Sequence, residues 1–405
     1  MKTSIATVSI SGNLPEKLDA IARAGFDGVE IFENDFLSFD GSPADVGRIV
    51  RDHGLEITMF QPFRDFEGMP EPHRGRTFDR AERKFDVMQE LGTDLLLVCS
   101  NISPVALGGI DRAAEDFREL GDRAARRGLK VGYEALAWGR HVNDHRDAWE
   151  IVRQADHPNI GLILDSFHTL SRKIEIDSIR AIPKDKIFIV QLADAPLIDM
   201  DLLYWSRHFR NMPGEGDLPV VDFMAAVAAT GYNDYVSLEI FNDQFRGGSP
   251  KAIAVDGHRS LLNLGDRVRR RQDGASLEVK TMPDRAVVKG IAFVEFSADE
   301  DEANDLSARS RSLRSGSKPK RSAPAFNTWH FERMTFSPAL PPCAETVSSP
   351  FPSRRIITTM WRLVSAWIRI SATGCERKAS STTVTSSASI SSSIPTPMAK
   401  AFSSR

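Results

Sequence analysis

Four polar side chains fall inside apolar segments of the sequence, at positions where an apolar residue would pack better. They are Glu134 in VGYEALAWG, Asp165 in GLILDSFHTLSR, Gln191 in IFIVQLADAP and Glu239 in YVSLEIFN. A buried carboxylate without a partner is unfavourable, and three converging carboxylates would repel one another. A divalent cation removes both objections, and this oxygen-rich set favours Mg²⁺ or Mn²⁺, with Co²⁺ as a third candidate, over Zn²⁺. The alternative is that the four residues are separate strand-end caps or salt-bridge partners.

Residues suited to proton transfer and to anion binding accompany these four. His168 comes three residues after Asp165, so we expect it at the rim of the metal site, as a general base or acid near neutral pH. Arg64 and Arg210 are candidates for binding a substrate carboxylate, because a guanidinium group makes two parallel hydrogen bonds to a planar carboxylate. Ser206 is a further candidate substrate contact. The alternatives are a histidine bonded to a backbone carbonyl and arginines that are solvated or structural.

Other ionisable residues near the same segments are expected to be structural or peripheral. We expect Glu30 and Glu33 to support the structure, at most from behind the site. His141 and His145 lie in the polar stretch WGRHVNDHRD, which is typical of an exposed loop.

The elements that would position these residues alternate along residues 1–270. Eight apolar runs are continuous and rich in Leu or β-branched residues, as in strands buried on both faces; they are 4–10, 28–33, 56–62, 94–100, 130–136, 160–166, 187–194 and 235–241. Helical patterns that end at glycine lie between them, as in 14–25, 77–92, 111–128 and 218–231. This alternation predicts an α/β fold of the (β/α)8 TIM-barrel type, with catalytic groups at the C-terminal ends of the strands. A doubly wound open sheet is the rival, and it is disfavoured because no GxGxxG follows the first strand.

Composition limits the partners of the chain. The 405 residues carry a formal net charge of −3, but basic residues far outnumber acidic ones after residue 305, so the barrel region is acidic and argues against nucleic acid as a partner. Three cysteines without a CxxC pair fit a reducing cytoplasm. No signal peptide and no apolar run long enough for a membrane span are visible. We expect a cytoplasmic protein that binds a small-molecule carboxylate, and the sequence leaves a homo-oligomer open.

Several stretches resemble the xylose-isomerase-like barrel superfamily, to which sugar phosphate isomerases and epimerases belong: GFDGVEIFEN, GLILDSFH and PGEGDLPVVDF. A longer set is similar to the bacterial 3-dehydroshikimate dehydratases, in the bifunctional form fused to a 4-hydroxyphenylpyruvate-dioxygenase-like region. That set covers about residues 1–270 and consists of FQPFRDFEG, YEALAWGRHVNDHRDAW, LDSFHTLSR, VQLADAP, YWSRHFRNMPGEG and LEIFND. Gln191 stands where many members of the superfamily have His, as it does in dehydratases of the bifunctional kind.

The resemblance implies a metal-dependent hydro-lyase that removes water from 3-dehydroshikimate to give protocatechuate, in quinate and shikimate catabolism. His168 would remove the proton alpha to the carbonyl, the divalent cation would act as a Lewis acid, and Arg64 or Arg210 would hold the ring carboxylate. One alternative is a metal-dependent sugar or inositol-type isomerase or epimerase, which usually needs two acid–base groups on opposite faces of its substrate. Another is a non-catalytic metabolite-binding barrel.

The end of the chain departs from this pattern. A charged linker, 271–286, leads to 287–305, which resembles the start of the dioxygenase-like (vicinal oxygen chelate) domain. Residues 306–405 are rich in Ser and Arg and of low complexity, so we expect a fragmentary, disordered segment. His330 is the only histidine after His258, so a two-histidine iron site cannot be assembled there. A shifted reading frame explains the interrupted domain start better than a natural basic tail does, and translation of the gene in its other frames would decide.

Overall fold

Eight parallel strands close into a barrel in the computed structural model, which describes residues 1–271, 277–279 and 282–283. Each strand pairs with the next along the chain, and the last pairs with the first. The strands are β1 Lys2–Ala6, β2 Gly28–Phe32, β3 Glu56–Phe63, β4 Leu95–Cys99, β5 Lys130–Glu134, β6 Ile160–Asp165, β7 Ile187–Leu192 and β8 Tyr235–Leu238. The predicted (β/α)8 barrel is therefore confirmed, and an open sheet is excluded because every strand has two neighbours.

Helices connect the strands, and the four predicted between apolar runs are confirmed as α1, α4, α5 and α9. In chain order the helices are α1 Leu14–Ala24, α2 Glu33–Leu37, α3 Pro43–Asp52, α4 His73–Leu91, α5 Ile110–Ala125, α6 His145–Ala155, α7 Ser166–Ser171, α8 Leu202–His208, α9 Val220–Ala229, α10 Asp243–Arg246 and α11 Pro250–Arg269. Local signals set their ends. Asn13 and Glu16 form a capping box at the start of α1, and Gly25 ends that helix in the left-handed region with a φ of 91°.

The first and last predicted strands are wrong at their C-terminal ends. The first stops early and is followed by a 3-10 turn, Thr7–Ser9. The Thr7 hydroxyl there accepts the Phe32 N–H at 3.0 Å, so a side chain replaces a backbone carbonyl as acceptor. The last strand also stops early, so Glu239 lies directly after β8 rather than within it.

The apolar core of the described residues has two main layers. One layer packs between strands and helices, and the other fills the barrel interior with side chains such as Met59, Leu97, Ile163 and Ile189. The strands β2, β4, β6 and β8 are buried along their whole length. The prediction of strands buried on both faces is therefore confirmed.

The C-terminal part of the chain is described only where it meets the barrel. Leu277 is buried against the core, and the Met1 ammonium group donates to the Glu278 carbonyl at 2.8 Å. The predicted dioxygenase-like start at 287–305 and the predicted tail at 306–405 lie outside the described residues, as does most of the predicted linker at 271–286. In the described part, no helix is long and apolar enough to cross a membrane.

Candidate active site

The four predicted metal ligands lie at the C-terminal ends of four consecutive strands. Glu134 and Asp165 are the last residues of β5 and β6, Gln191 lies near the end of β7, and Glu239 follows β8. Asp165 and Gln191 are partners in the strand register, so they lie at the same level of the barrel. Each of the four residues is at most 5% exposed. The structure thus places all four at one end of the barrel, where the fold positions catalytic groups.

His168 reaches the same cluster from the first turn of α7. Asp165 is the N-cap of this helix, and its Oδ1 accepts the His168 N–H at 3.1 Å. The His168 Nε2 lies 3.7 Å from Glu134 Oε1 and 3.9 Å from Asp165 Oδ2. One donor atom from each of these three residues lies within 4.8 Å of the other two. The spacing of three residues therefore puts the imidazole beside the carboxylates.

Burial and neighbouring charges shift the protonation of this cluster. Burial, and then the negative charges of Glu239 and Asp165, raise the pKa of Glu134 well above its ordinary value. Burial also raises the pKa of Glu239, against the opposing effect of Arg210. Burial acts in the same direction on Asp165, but Arg210 and His168 outweigh it and lower the pKa of that carboxyl. Burial lowers the pKa of His168 to about 3, so its imidazole is neutral near neutral pH.

Arg210 compensates two of the carboxylates. Its Nη1 donates to Asp165 Oδ2 at 2.7 Å and to Glu239 Oε2 at 3.0 Å. Its Nε and Nη2 donate to the Ser206 hydroxyl at 3.2 and 2.9 Å, and Nη2 lies 3.2 Å from His168 Nε2. Arg210 and Ser206 are both buried. All three guanidinium nitrogens of Arg210 therefore have partners inside the protein, and the Ser206 hydroxyl is a hydrogen-bond acceptor for two of them.

The donor set fits a divalent cation. Oε1 of Glu134 and Oε1 of Gln191 are buried and, among the described residues, have no hydrogen-bond partner. The Gln191 Nε2 donates to Glu30 Oε2 at 2.8 Å, which leaves the amide oxygen as the uncommitted donor atom. Buried oxygens without a partner are unfavourable unless something binds them. Glu30 thus supports Gln191 from behind the site, as expected, whereas Glu33 forms an ion pair with Lys84.

The pocket at this cluster contains both predicted arginines, Arg64 and Arg210, and a third arginine that was not predicted from the sequence. Arg64 lines the pocket, and so does Arg207, together with Trp138, Phe241 and Leu136. The Arg207 Cζ lies 4.5 Å from the ring centroid of Phe241 and 5.9 Å from that of Trp138. Its only sequence signal is its position in YWSRHFR, beside Ser206 and three residues before Arg210.

The two histidines after β5 do not both lie in an exposed loop, and for His145 that expectation is wrong. His145 is 5% exposed because the chain turns inward there, at the first residue of α6, which Asp144 caps. Its Nε2 lies 2.8 Å from the Ser178 hydroxyl, and burial lowers its pKa to about 4. His141 is exposed, as expected, and its Nε2 lies 2.9 Å from the Ala106 carbonyl oxygen. Both side chains lie outside the pocket.

The closed barrel and the polar cluster at its C-terminal end agree with one family of proteins. A family model described as xylose isomerase-like TIM barrel matches residues 18–264, and the chain belongs to that family. The 3-dehydroshikimate dehydratases of Pseudomonas putida and Pseudomonas aeruginosa are 56% and 58% identical to it over 305 residues. Each alignment covers 74% of this chain and 48% of the relative, so the chain spans about half the length of the curated relatives it matches.

Solved structures show the same relationship. A xylose isomerase-like TIM barrel/4-hydroxyphenylpyruvate dioxygenase fusion protein aligns with a TM-score of 0.74 and 53% identity, covering 77% of this chain and 51% of that one. The IOLI protein with a bound zinc atom aligns with a TM-score of 0.60 and 21% identity, over 65% and 98% of the two chains, which shows the fold alone. The resemblance inferred from the sequence is confirmed. The cluster of Glu134, Asp165 and His168 is of a kind that can hold a divalent metal ion.

Proposed function

We propose that residues 1–270 catalyse the metal-dependent elimination of water from 3-dehydroshikimate to give protocatechuate. The observation that carries this proposal is the position of His168, whose Nε2 lies 3.7 and 3.9 Å from two buried carboxylates at the C-terminal end of the barrel. The relatives that share 56% and 58% of its residues over 305 positions are 3-dehydroshikimate dehydratases. The proposal extends their activity to this chain.

Glu134, Asp165, Gln191 and Glu239 would hold one Mg²⁺, Mn²⁺ or Co²⁺ ion, which when bound polarises carbonyl and hydroxyl oxygens as a Lewis acid. The two buried oxygens without partners, on Glu134 and Gln191, support this assignment. Because Arg210 Nη1 bonds both Asp165 and Glu239, the cation and the guanidinium group would compete for these carboxylates. If the cation takes these carboxylates, Nη1 of Arg210 becomes free to donate to the substrate. Arg210, with Ser206, is therefore still a proposed substrate contact.

His168 would exchange protons with the substrate at Nε2. This nitrogen faces the carboxylates of Glu134 and Asp165, which would stabilise the imidazolium formed when Nε2 accepts the proton alpha to the carbonyl. The Ala137 N–H lies 3.2 Å from Nδ1 and donates to it when Nδ1 carries no proton. For Nε2 to act as a base, the single proton of the neutral imidazole must be on Nδ1. In that tautomer Nδ1 cannot accept a hydrogen bond, so the bond from the Ala137 N–H is lost.

The decisive experiment follows the aromatic absorbance of the product when the full chain is incubated with 3-dehydroshikimate and Mg²⁺, Mn²⁺ or Co²⁺. We expect turnover that stops on addition of EDTA and is abolished in His168→Ala, with Mn²⁺ binding retained in calorimetry. His141→Ala is the matched control, because it makes the same change at a histidine outside the pocket. Near-normal turnover in His168→Ala would remove this residue from the mechanism, and a wild-type chain inactive with all three metals would refute the proposed function.

The isomerase alternative is tested in the same preparation. The inosose isomerase of Bacillus velezensis is 25% identical over 247 residues, which cover 59% of this chain and 88% of that protein. Such a reaction usually needs a second acid–base group, and in the described pocket the other ionisable side chains are the proposed metal ligands, arginines and Cys99. Conversion of an inosose with 3-dehydroshikimate left unchanged would favour the isomerase.

A further inference from the structure

Two guanidinium groups line the pocket without an acceptor. Within residues 1–271, the side chains of Arg64 and Arg207 make no hydrogen bond and no ion pair, although both lie at the pocket that contains Glu134 and His168. Arginines in proteins usually donate to carboxylates or carbonyls, since five N–H groups are costly to leave without partners. Their donors are therefore available to a ligand.

Aromatic contacts hold Arg207 in place without using its donors. Its Cζ lies 4.5 Å from the centroid of the Phe241 ring and 5.9 Å from that of Trp138. A guanidinium group that stacks on aromatic faces keeps its N–H edge free for a planar anion. Trp138 also packs edge-on against His168, with ring centroids 5.1 Å apart, so Arg207 and the proposed acid–base residue share one wall of the pocket.

The positive charges of the two free arginines repel each other. Burial, and then the positive charge of Arg64, lower the pKa of Arg207. An anion bound between the two groups would relieve this repulsion and satisfy the free donors together. Arg210 differs, because each of its guanidinium nitrogens already contacts Ser206, His168 or the carboxylates.

We propose that Arg207, acting with Arg64, binds the carboxylate of the substrate and makes that carboxylate a requirement for binding. The identity of the substrate rests on the proposed function, but the anion preference rests on the free donors alone. Arg207 is thus a specificity-determining residue that selects carboxylates over uncharged polyols. Arg210 contributes mainly by compensating the buried carboxylates.

The test compares one ligand with and without its charge. Shikimate and its methyl ester are titrated into the full chain with Mn²⁺ present, by isothermal titration calorimetry. We expect Arg207→Met to weaken shikimate binding by about 10- to 100-fold, the range for a lost charged hydrogen-bond pair, and to change ester binding by less than about 2-fold. Arg207→Lys keeps the charge but not the two-donor fork, so its loss should be intermediate. Arg140→Met, at an exposed arginine outside the pocket, makes the same change in net charge and should leave both affinities unaltered.

Each result decides the proposal. Equal weakening of acid and ester by Arg207→Met would show that Arg207 acts on the other pocket charges, such as Glu239, and would overturn it. So would unchanged shikimate binding in that variant, or a wild-type chain that prefers the ester or binds neither ligand. Turnover of 3-dehydroshikimate is measured separately, with KM expected to rise more than kcat falls in Arg207→Met. A wild-type chain without turnover but with Arg207-dependent binding of shikimate would refute the dehydratase and leave the carboxylate site standing.

Discussion

Glu67 should make the barrel less stable as the pH rises through neutrality. Its Oε1 accepts the Asn101 N–H at 2.6 Å and the Tyr133 hydroxyl at 2.9 Å, and Asn101 Nδ2 donates to the Glu67 carbonyl at 2.6 Å. These bonds join the loops after β3 and β4 to strand β5 beside the pocket. Its Oε2 is buried and, in the part of the chain that is described, has no partner. Burial raises the pKa of Glu67 to about 7, although the bonds from Asn101 and Tyr133 act in the opposite direction.

The size and sign of the effect follow from the difference between folded and unfolded chain. The carboxyl of Glu67 ordinarily titrates at 4.5 and in the fold at about 7, so the folded state binds more protons between these values. Stability is therefore full below about pH 4.5 and is lost as the pH rises through 7. At about 1.36 kcal/mol per pKa unit, the complete loss is about 3 kcal/mol.

The Glu67→Gln variant isolates this contribution, because it keeps the acceptor oxygen and the shape but cannot ionise. Urea unfolding of the full chain should show the variant gaining about 3 kcal/mol relative to wild type between about pH 4.5 and pH 8.5. Other titrating groups cancel in the comparison. Glu115→Gln, at an exposed position of α5, makes the same chemical change away from the pocket and is the matched control. A Glu67→Gln difference that stays constant with pH would mean that Glu67 ionises normally in the fold, and would refute the reasoning.

Three further predictions concern charges in and near the site. Burial lowers the pKa of His145 from 6.5 to about 4, so the stability that this residue contributes above about pH 6.5 is lost as the pH falls through 4. In urea unfolding, His145→Gln should remove up to about 3 kcal/mol of this loss at acid pH. The same decrease of stability at acid pH in the variant and in wild type would contradict this prediction. Mn²⁺ binding should release more protons in wild type than in Glu134→Gln, because burial and the charges of Glu239 and Asp165 raise the pKa of Glu134, whereas a bound cation favours its ionised form; calorimetry in two buffers of different ionisation enthalpy measures this, and equal release would argue against Glu134 as a ligand. Arg210→Met should lower the free energy of unfolding by about 3–5 kcal/mol in EDTA, since Asp165 and Glu239 lose their partner, and Mn²⁺ should restore most of the loss. Equal destabilisation with and without Mn²⁺ would show that the cation does not replace the guanidinium group.

The barrel could be predicted because its signal is local and repeated. Each strand is an apolar run buried on both faces, and each run can be recognised from its own residues without knowledge of the rest of the chain. The errors fall where a side chain replaces a backbone partner, as Thr7 does for the Phe32 N–H after β1. No pattern of hydrophobicity predicts that a side chain will take the place of a backbone acceptor, because the residues that meet are distant along the chain.

The residues of the candidate site also fall into those that the sequence predicts and those that it does not. Glu134, Asp165, Gln191 and Glu239 are visible in the sequence because a polar residue in an apolar run is locally anomalous. Arg207 is not visible, since an arginine in a short helix is ordinary until Phe241 and Trp138 are found beside it. His145 and Glu67 are missed for the same reason, because their burial depends on contacts between separate loops.

The charges of the pocket favour an anionic substrate over a neutral one. The carboxylates of Glu134, Asp165 and Glu239 face a single committed guanidinium group, that of Arg210, which leaves two negative charges that one divalent cation would neutralise. With that cation bound, these charges would be balanced, and the positive charges of Arg64 and Arg207 would remain without partners among the described residues. A neutral inosose would leave those donors without acceptors, whereas a ring carboxylate would satisfy them. Under this proposal the same barrel and metal ligands would serve either chemistry, and Arg64 and Arg207 would select a substrate that carries a carboxylate.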